Sequence, residues 1–225
     1  MNILKPALTA FMMTLTLIAS TSFANDKAEK KPEIPGYTMG SHKLAKSPVT
    51  LQDLESLKKT LLLGDDDIKA LKMSKAILAD QTDAILDVWY GFVAGTPELV
   101  YFFKNNKTGQ PDGAYLAVVR KRFAQWILDT ADANYDQTWL DYQYEIGLRH
   151  APAKKNKTDK ADSVKLVNFR YIPALTIPVT TTLKPFLAKK GAKAEDVEKM
   201  HQAWVKAVLL QSILWSQPFV KDGQF

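Results

Sequence analysis

The chemistry open to this chain depends on few side chains, because its 225 residues include three histidines and no cysteine. Without cysteine there can be no disulfide, no thiolate metal site, no iron–sulfur cluster and no cysteine nucleophile. Three histidines, at positions 42, 150 and 201, also leave little room for a multi-histidine metal centre. Chemistry that needs a single imidazole remains open.

His150 has the most informative position of the three histidines. It ends a predicted helix, residues 137–150, whose apolar face carries Trp139, Tyr142 and Ile146 at steps of three and four residues. A histidine at a helix C-terminus can simply be solvated, with its charge stabilised by the helix dipole. It can also be an iron ligand, because a b-type haem needs only one axial histidine from the protein. Periodicity does not decide between the two interpretations.

A flat cofactor held by His150 would need apolar walls around it. Gly147 would let the backbone approach a porphyrin closely, because glycine has no Cβ. Opposite walls could come from two other predicted helices, 82–94 and 114–129. The residues that would form the walls are Ile146, Gly147, Trp89, Tyr90, Val119 and Phe123. Ordinary core packing explains the same aromatic residues equally well.

The elements that must position these residues are helical almost throughout. Hydrophobic residues make up 46% of the chain and charged residues 24%, which is typical of a folded globular domain. Apolar residues recur at helical spacing, and no stretch alternates as a strand would. We predict an all-α domain over residues 51–225 with seven or eight helices. They include 82–94, 114–129, 137–150, a kinked helix over 166–189 that contains three prolines, and 194–216.

The first 24 residues have the form of a secretory signal peptide. Lys5 precedes an apolar stretch from Ala7 to Ala19, and Ser22-Phe23-Ala24 has the small-x-small pattern of a cleavage site. The apolar run is shorter than the roughly 20 residues that a spanning helix needs. We therefore expect export without stable membrane insertion. Because a cysteine-free fold suits the bacterial periplasm, we expect the protein there.

Residues 25–50 form a leader between the signal peptide and the helical domain. It begins with charged residues and continues with Pro35, Gly36, Gly40 and Pro48, so we expect it to be ordered only where the domain holds it. The formal net charge of +6 is modest, and the basic residues are scattered. With a signal peptide in addition, these features argue against a nucleic-acid partner.

Several blocks of the sequence resemble the protoglobins, single-domain relatives of the sensor domain in globin-coupled sensors. The resemblance runs from about Ile34 to Phe225. The blocks that carry it are IPGYTMG (34–40), ILDVWYGFV (85–93), YLAVVRKRFAQWILDT (115–130), YDQTWLDYQYEIGLRH (135–150), KKNKTD (154–159), LKPFLAKKG (183–191) and VEKMHQAWVKA (197–207).

The resemblance implies a globin fold with an extra N-terminal helix, one b-type haem, and a leader segment that folds over the haem. His150 matches the proximal ligand of the iron. The positions that match the rest of the haem pocket are Trp89, Tyr90, Val119, Phe123 and Leu175, the last standing where archaeal protoglobins have phenylalanine. Arg122 lies in a basic run that could reach the haem propionates or simply face solvent.

The function implied by the resemblance is binding of O₂, CO or NO by a carrier, scavenger or sensor. An enzyme that acts on NO, nitrite or peroxide is the alternative, and a helical scaffold without haem is a third possibility. We expect no output domain after Phe225, so we expect any signalling or redox role to need a separate partner. We also expect a homodimer through helices 166–189 and 194–216, because Trp204, Val208, Leu209 and Trp215 cover more than one helix face.

Overall fold

The computed structural model describes residues 33–221 and 223–225, and within them the only strand-like feature is an isolated bridge between Lys104 and Pro111. The predicted signal peptide lies outside the described residues. The all-α prediction is confirmed. The α-helices of the described part are α1 (Leu51–Thr60), α2 (Asp65–Leu78), α3 (Thr82–Ala94), α4 (Pro97–Val100), α5 (Gly113–Asp132), α6 (Gln137–His150), α7 (Tyr171–Ala174), α8 (Thr176–Leu187) and α9 (Ala194–Ser216), and short 3-10 helices follow α4 (Tyr101–Phe103) and α9 (Gln217–Phe219).

Aspartates fix the start of the two helices that later matter most. The Asp112 side chain accepts a hydrogen bond from the Tyr115 backbone N–H at 3.0 Å, and Asp136 accepts one from Trp139 N–H at 2.8 Å. Each bond satisfies one of the four N–H groups that a helix start leaves without an intrahelical partner. The sequence therefore fixes where α5 and α6 begin, and so which residues face the interior.

The segment 166–189 differs from its prediction as one kinked helix. It has an irregular start and then two helices, α7 and α8, separated at Leu175. Pro173 and Pro178 each occupy the third position of one of these helices, where a missing N–H costs no intrahelical bond. The prolines thus divide the segment into two helix starts. Of the three prolines, only Pro185 lies beyond the first turn of its helix.

Helix α9 forms the centre of the domain and packs against α2, α6, α7 and α8. Trp204 is fully buried, and its Nε1–H donates to Ser74 Oγ at 2.9 Å. Val208 is buried, and Trp215 stacks on His150. Three of the four residues that suggested a dimer surface are therefore used inside the protomer. The several apolar faces of α9 reflect its central position.

Residues 33–47, here called the strap, have no helix but are tied to the domain. The Tyr37 hydroxyl donates to Asp129 Oδ2 on α5 at 2.8 Å, and its ring packs edge-on against Tyr142 at 5.2 Å. At the other end, Lys46 Nζ and Ser47 N–H both donate to the Asp141 carboxylate of α6. The domain therefore holds the Pro/Gly-rich segment in place.

No helix of the described residues is long and apolar enough to cross a membrane.

Candidate functional site

A cavity of about 270 Å³ lies beside α6. This is close to the lower end of small-molecule pockets, roughly 300–1,000 Å³. Its walls come from α3, the segment 99–103, α5, α6 and the loop that follows it, α7, α8 and α9. Eight of the nine predicted site residues line it, namely Trp89, Tyr90, Val119, Arg122, Phe123, Ile146, His150 and Leu175. These eight residues come from four separate parts of the chain and meet around one space.

His150 is held in one orientation at the end of α6. Its Nδ1 lies 2.8 Å from the carbonyl oxygen of Ile146, which can only accept a hydrogen bond. Nδ1 therefore carries the proton, and Nε2 keeps its lone pair. The imidazole also stacks on the Trp215 indole, with ring centroids 5.5 Å apart and planes 10° apart. Trp215 in turn donates from Nε1 to Gln143 Oε1 at 2.8 Å.

The surroundings of His150 favour its neutral form. Burial is the main cause that lowers its pKa, and the positive charges of Lys155 and Arg149 act in the same direction. The hydrogen bond to Ile146 has the opposite, smaller effect. A neutral imidazole with one nitrogen fixed by a carbonyl is the usual state of a histidine that binds a metal.

Gly147 is the one predicted site residue that does not line the cavity. A Cβ added there would lie 3.0 Å from the Trp215 carbonyl oxygen, 3.1 Å from Trp215 Cα and 3.3 Å from Pro218 Cδ. The glycine is needed because α6 approaches the end of α9 closely. The expected close approach of its backbone to a cofactor is therefore replaced by a helix contact.

Aromatic rings from α3 and α5 line another part of the cavity. Trp89 packs edge-on against Phe123 at 5.8 Å, and Phe123 packs against Trp126 at 5.2 Å. Tyr90 lines the cavity beside Trp89, and burial raises the pKa of its hydroxyl to about 12. The hydroxyl therefore stays protonated at neutral pH and remains a hydrogen-bond donor. This wall is apolar apart from the hydroxyl group of Tyr90.

Two arginines connect the edge of the cavity to the strap. Arg122 makes a two-pronged ion pair with Asp159, with N–O distances of 2.9 and 2.6 Å, and donates to the Pro35 carbonyl. Arg149 pairs with Glu145 at 2.9 Å and donates to Gly36 and Thr38 of the strap. Arg122 is thus already bound to a carboxylate and is not a solvated basic side chain.

The sequence analysis did not single out Arg149, Lys155 or Trp215 as site residues. Lys155 lies in the lysine-rich loop after α6, yet only 5% of its surface is exposed, and it lines the cavity. The signal that could have marked it is its place in the KKNKTD block. His42 is exposed in the strap, and His201 on α9 does not line the cavity. Within the described residues, no three His, Cys, Asp or Glu cluster as a metal site.

Comparison with known proteins gives the family. The protoglobin family model matches residues 50–225. The chain belongs to the protoglobin family. This protoglobin is also similar in structure to the globin domain of the Geobacter sulfurreducens globin-coupled sensor. The TM-score is 0.56 at 15% sequence identity, over 74% of this chain and 97% of that domain. A search of curated proteins finds no match.

The predicted globin fold is thereby confirmed, while the extra N-terminal helix stays a prediction. Family membership implies haem binding and a gaseous ligand. The residues present fit a haem, because the cavity is lined mainly by apolar side chains and contains one imidazole with its Nε2 lone pair available. Cationic side chains at its edge suit the carboxylates of the cofactor.

Proposed function

We propose that this protoglobin binds a b-type haem through His150 Nε2 and reversibly binds a diatomic gas, O₂, CO or NO, on the opposite face. The observation that carries the proposal is the 2.8 Å contact between His150 Nδ1 and the Ile146 carbonyl, inside a cavity with a mainly apolar lining. It fixes the tautomer that a metal ligand needs and orients the ring.

Different residues of this chain would have different roles in such a site. His150 would hold the iron, and its stack on Trp215 limits rotation of the imidazole. Trp89 and Phe123 would exclude water from the face of the haem on which the gas binds. The bound haem supplies an iron with one coordination position open to a gas.

Tyr90 is the candidate donor to the ligand. A hydrogen bond from its hydroxyl to a charge-bearing ligand would strengthen binding by about 1–3 kcal/mol. Arg122, the arginine among the predicted site residues, is bound to Asp159 and to the strap. Among the described residues His150 is the one histidine that lines the cavity, and the iron would use it, which favours gas binding as a carrier, scavenger or sensor over peroxide chemistry.

The proposal is tested by absorption spectra of the haem-loaded protein, first ferric, then ferrous, then ferrous with CO. We expect a sharp Soret band in the wild type that shifts when CO binds. His150→Ala should lose or broaden this band because the iron loses its protein ligand. Imidazole added to the variant should restore the wild-type spectrum by occupying the vacated space.

His42→Ala is the matched control, since His42 is exposed in the strap. Its spectra should equal those of the wild type in all three states. If His150→Ala also gives the wild-type spectra, His150 is not the ligand and the proposal is overturned. A wild-type protein that binds no stoichiometric haem overturns it as well.

A further inference from the structure

Lys155 is buried without an opposite charge. Its Nζ donates to the Phe102 carbonyl at 3.1 Å and to Asn156 Oδ1 at 2.8 Å, and lies 3.5 Å from the Tyr115 hydroxyl. All three acceptors are neutral, and the third contact is long for a hydrogen bond. Among the described residues no carboxylate lies within 4 Å of this ammonium. A buried ammonium in such a setting is costly unless it is paired.

The other three cations that line the cavity already have partners. Arg122 pairs with Asp159, while Arg149 and Lys154 share the Glu145 carboxylate. Four cations therefore face two carboxylates in this cluster, which leaves an excess of two positive charges at one edge of a mainly apolar space. Lys155 is the member of the cluster that has no ion pair.

The local environment of Lys155 shows that its charge is poorly compensated. Burial lowers its pKa to about 8, and the more distant Asp159, already bound to Arg122, only partly opposes this. Desolvation of an ammonium shifts the pKa in this direction, whereas a bound anion shifts it back. The residue nevertheless lines the cavity and is buried from solvent.

We propose that Lys155 is the ion-pair partner of a haem propionate and that the cationic edge of the cavity is a dicarboxylate subsite. The inference rests on the proposed function, because it assumes that the cavity holds haem. The two positive charges in excess match the two propionates of a b-type haem. Arg122 and Arg149, in contrast, hold the strap and their own carboxylates.

The test compares haem b with its dimethyl ester, in which both propionates are neutral. The measured quantity is the first-order rate at which each cofactor leaves the protein for an excess of a haem-scavenging protein. Lys155→Met should lose haem b about tenfold faster than the wild type, the effect of one charge-assisted hydrogen bond. The same variant should lose the dimethyl ester at nearly the wild-type rate, since the ester offers no charge to Lys155.

Lys154→Met is the matched control. Lys154 is the neighbouring residue and also lines the cavity, but it is 37% exposed and paired with Glu145 at 2.6 Å. Its loss of haem b should change by less than about threefold. If Lys155→Met folds poorly by thermal unfolding, Lys155→Gln keeps a donor for the Phe102 carbonyl and replaces it in the comparison.

Each outcome has a distinct meaning. If Lys155→Met releases haem b and the ester faster by the same factor, Lys155 only supports the loop through Phe102 and Asn156, and the inference is overturned. Unchanged release of haem b overturns it as well, while the proposed function stands. If the wild type retains neither cofactor, the proposed function is overturned, and the dicarboxylate subsite is overturned with it because it assumes bound haem.

Discussion

Lys154 and Lys155 are adjacent residues of the same type with different surroundings. Lys154 reaches Glu145 and is partly in solvent, whereas Lys155 is buried on neutral acceptors beside the cavity. The sequence places both in a basic loop, and composition alone predicts that both are solvated. Only the path of the chain after Ala151 separates them, so burial at this position could not be predicted from residue type.

A glycine is needed at position 147 because α6 and α9 are in close contact there, and a substitution can test this. In Gly147→Ala, the new Cβ would lie 3.0 Å from the Trp215 carbonyl, and a backbone atom cannot move aside as a flexible side chain can. We expect the free energy of unfolding to fall by about 1–3 kcal/mol. Urea denaturation followed by tryptophan fluorescence measures the change.

The control for this substitution is Gly91→Ala in α3, where an added Cβ meets nothing within 4 Å. Alanine is favoured over glycine inside a helix by roughly 0.5–1 kcal/mol, so this variant should be as stable as the wild type or more stable. If Gly147→Ala behaves in the same way, α6 and α9 are not in the close contact described above.

At the scale of elements, most helix starts follow from the local pattern, whereas the two starts within 166–189 and the contacts that order the strap do not. The capping aspartate at 136 and the periodicity of 137–150 give α6 its observed bounds. The strap has no periodicity, and its order comes from tertiary hydrogen bonds to Asp129, Arg149 and Asp141. These partners are about 90 to 110 residues away in sequence, which no local pattern can reveal.

The Tyr37–Asp129 bond predicts a pH-dependent effect. Burial raises the pKa of Asp129, while the hydrogen bonds from Gln125 and Tyr37 favour its ionised form and oppose the rise. Tyr37→Phe removes one of these bonds, so the pKa of Asp129 should rise further. A carboxyl with a raised folded-state pKa binds more protons folded than unfolded, and stability falls as pH increases through that range.

The loss in Tyr37→Phe should therefore be about 1.5 kcal/mol at pH 7, where the partner is a carboxylate. It should shrink as the pH falls toward 4, where Asp129 becomes protonated in the folded state. Urea unfolding at both pH values gives the two differences. Tyr101→Phe, at an exposed tyrosine, is the control and should have no effect at either pH. An equal loss at both would show that the Asp129 charge plays no part.

At the scale of the whole molecule, the family resemblance predicts the globin fold and which helices surround the cavity. The helical faces of α3, α5 and α6 follow from periodicity, and eight predicted positions meet at one cavity. The polar edge could not be predicted in this way. It brings Pro35 of the strap, Arg122 of α5, Arg149 of α6 and Asp159 of the following loop together, through ion pairs and hydrogen bonds that depend on the completed fold.

The homodimer stays a prediction, but its surface has to be redefined. Trp204 and Val208 are buried within the protomer, so they cannot supply a contact between copies, and the half-buried Trp215 is already stacked on His150. Two other apolar surfaces of these helices are accessible to solvent. One is Ile177 on α8, which is 63% exposed. The other is a half-buried row on α9 at four-residue spacing, namely Val205, Leu209 and Ile213.

A dimer through α8 and α9 must bury Ile177 or this row, because a stable interface needs a desolvated apolar centre. Sedimentation at tens of micromolar should give a dimer for the wild type. Ile177→Glu should shift it toward monomer, since a carboxylate buried at the interface would have no partner. Leu51→Glu, a similar change at an exposed leucine in the first turn of α1, should leave the dimer intact. A monomeric wild type refutes the dimer, whereas a dimer that tolerates Ile177→Glu excludes Ile177 from the interface.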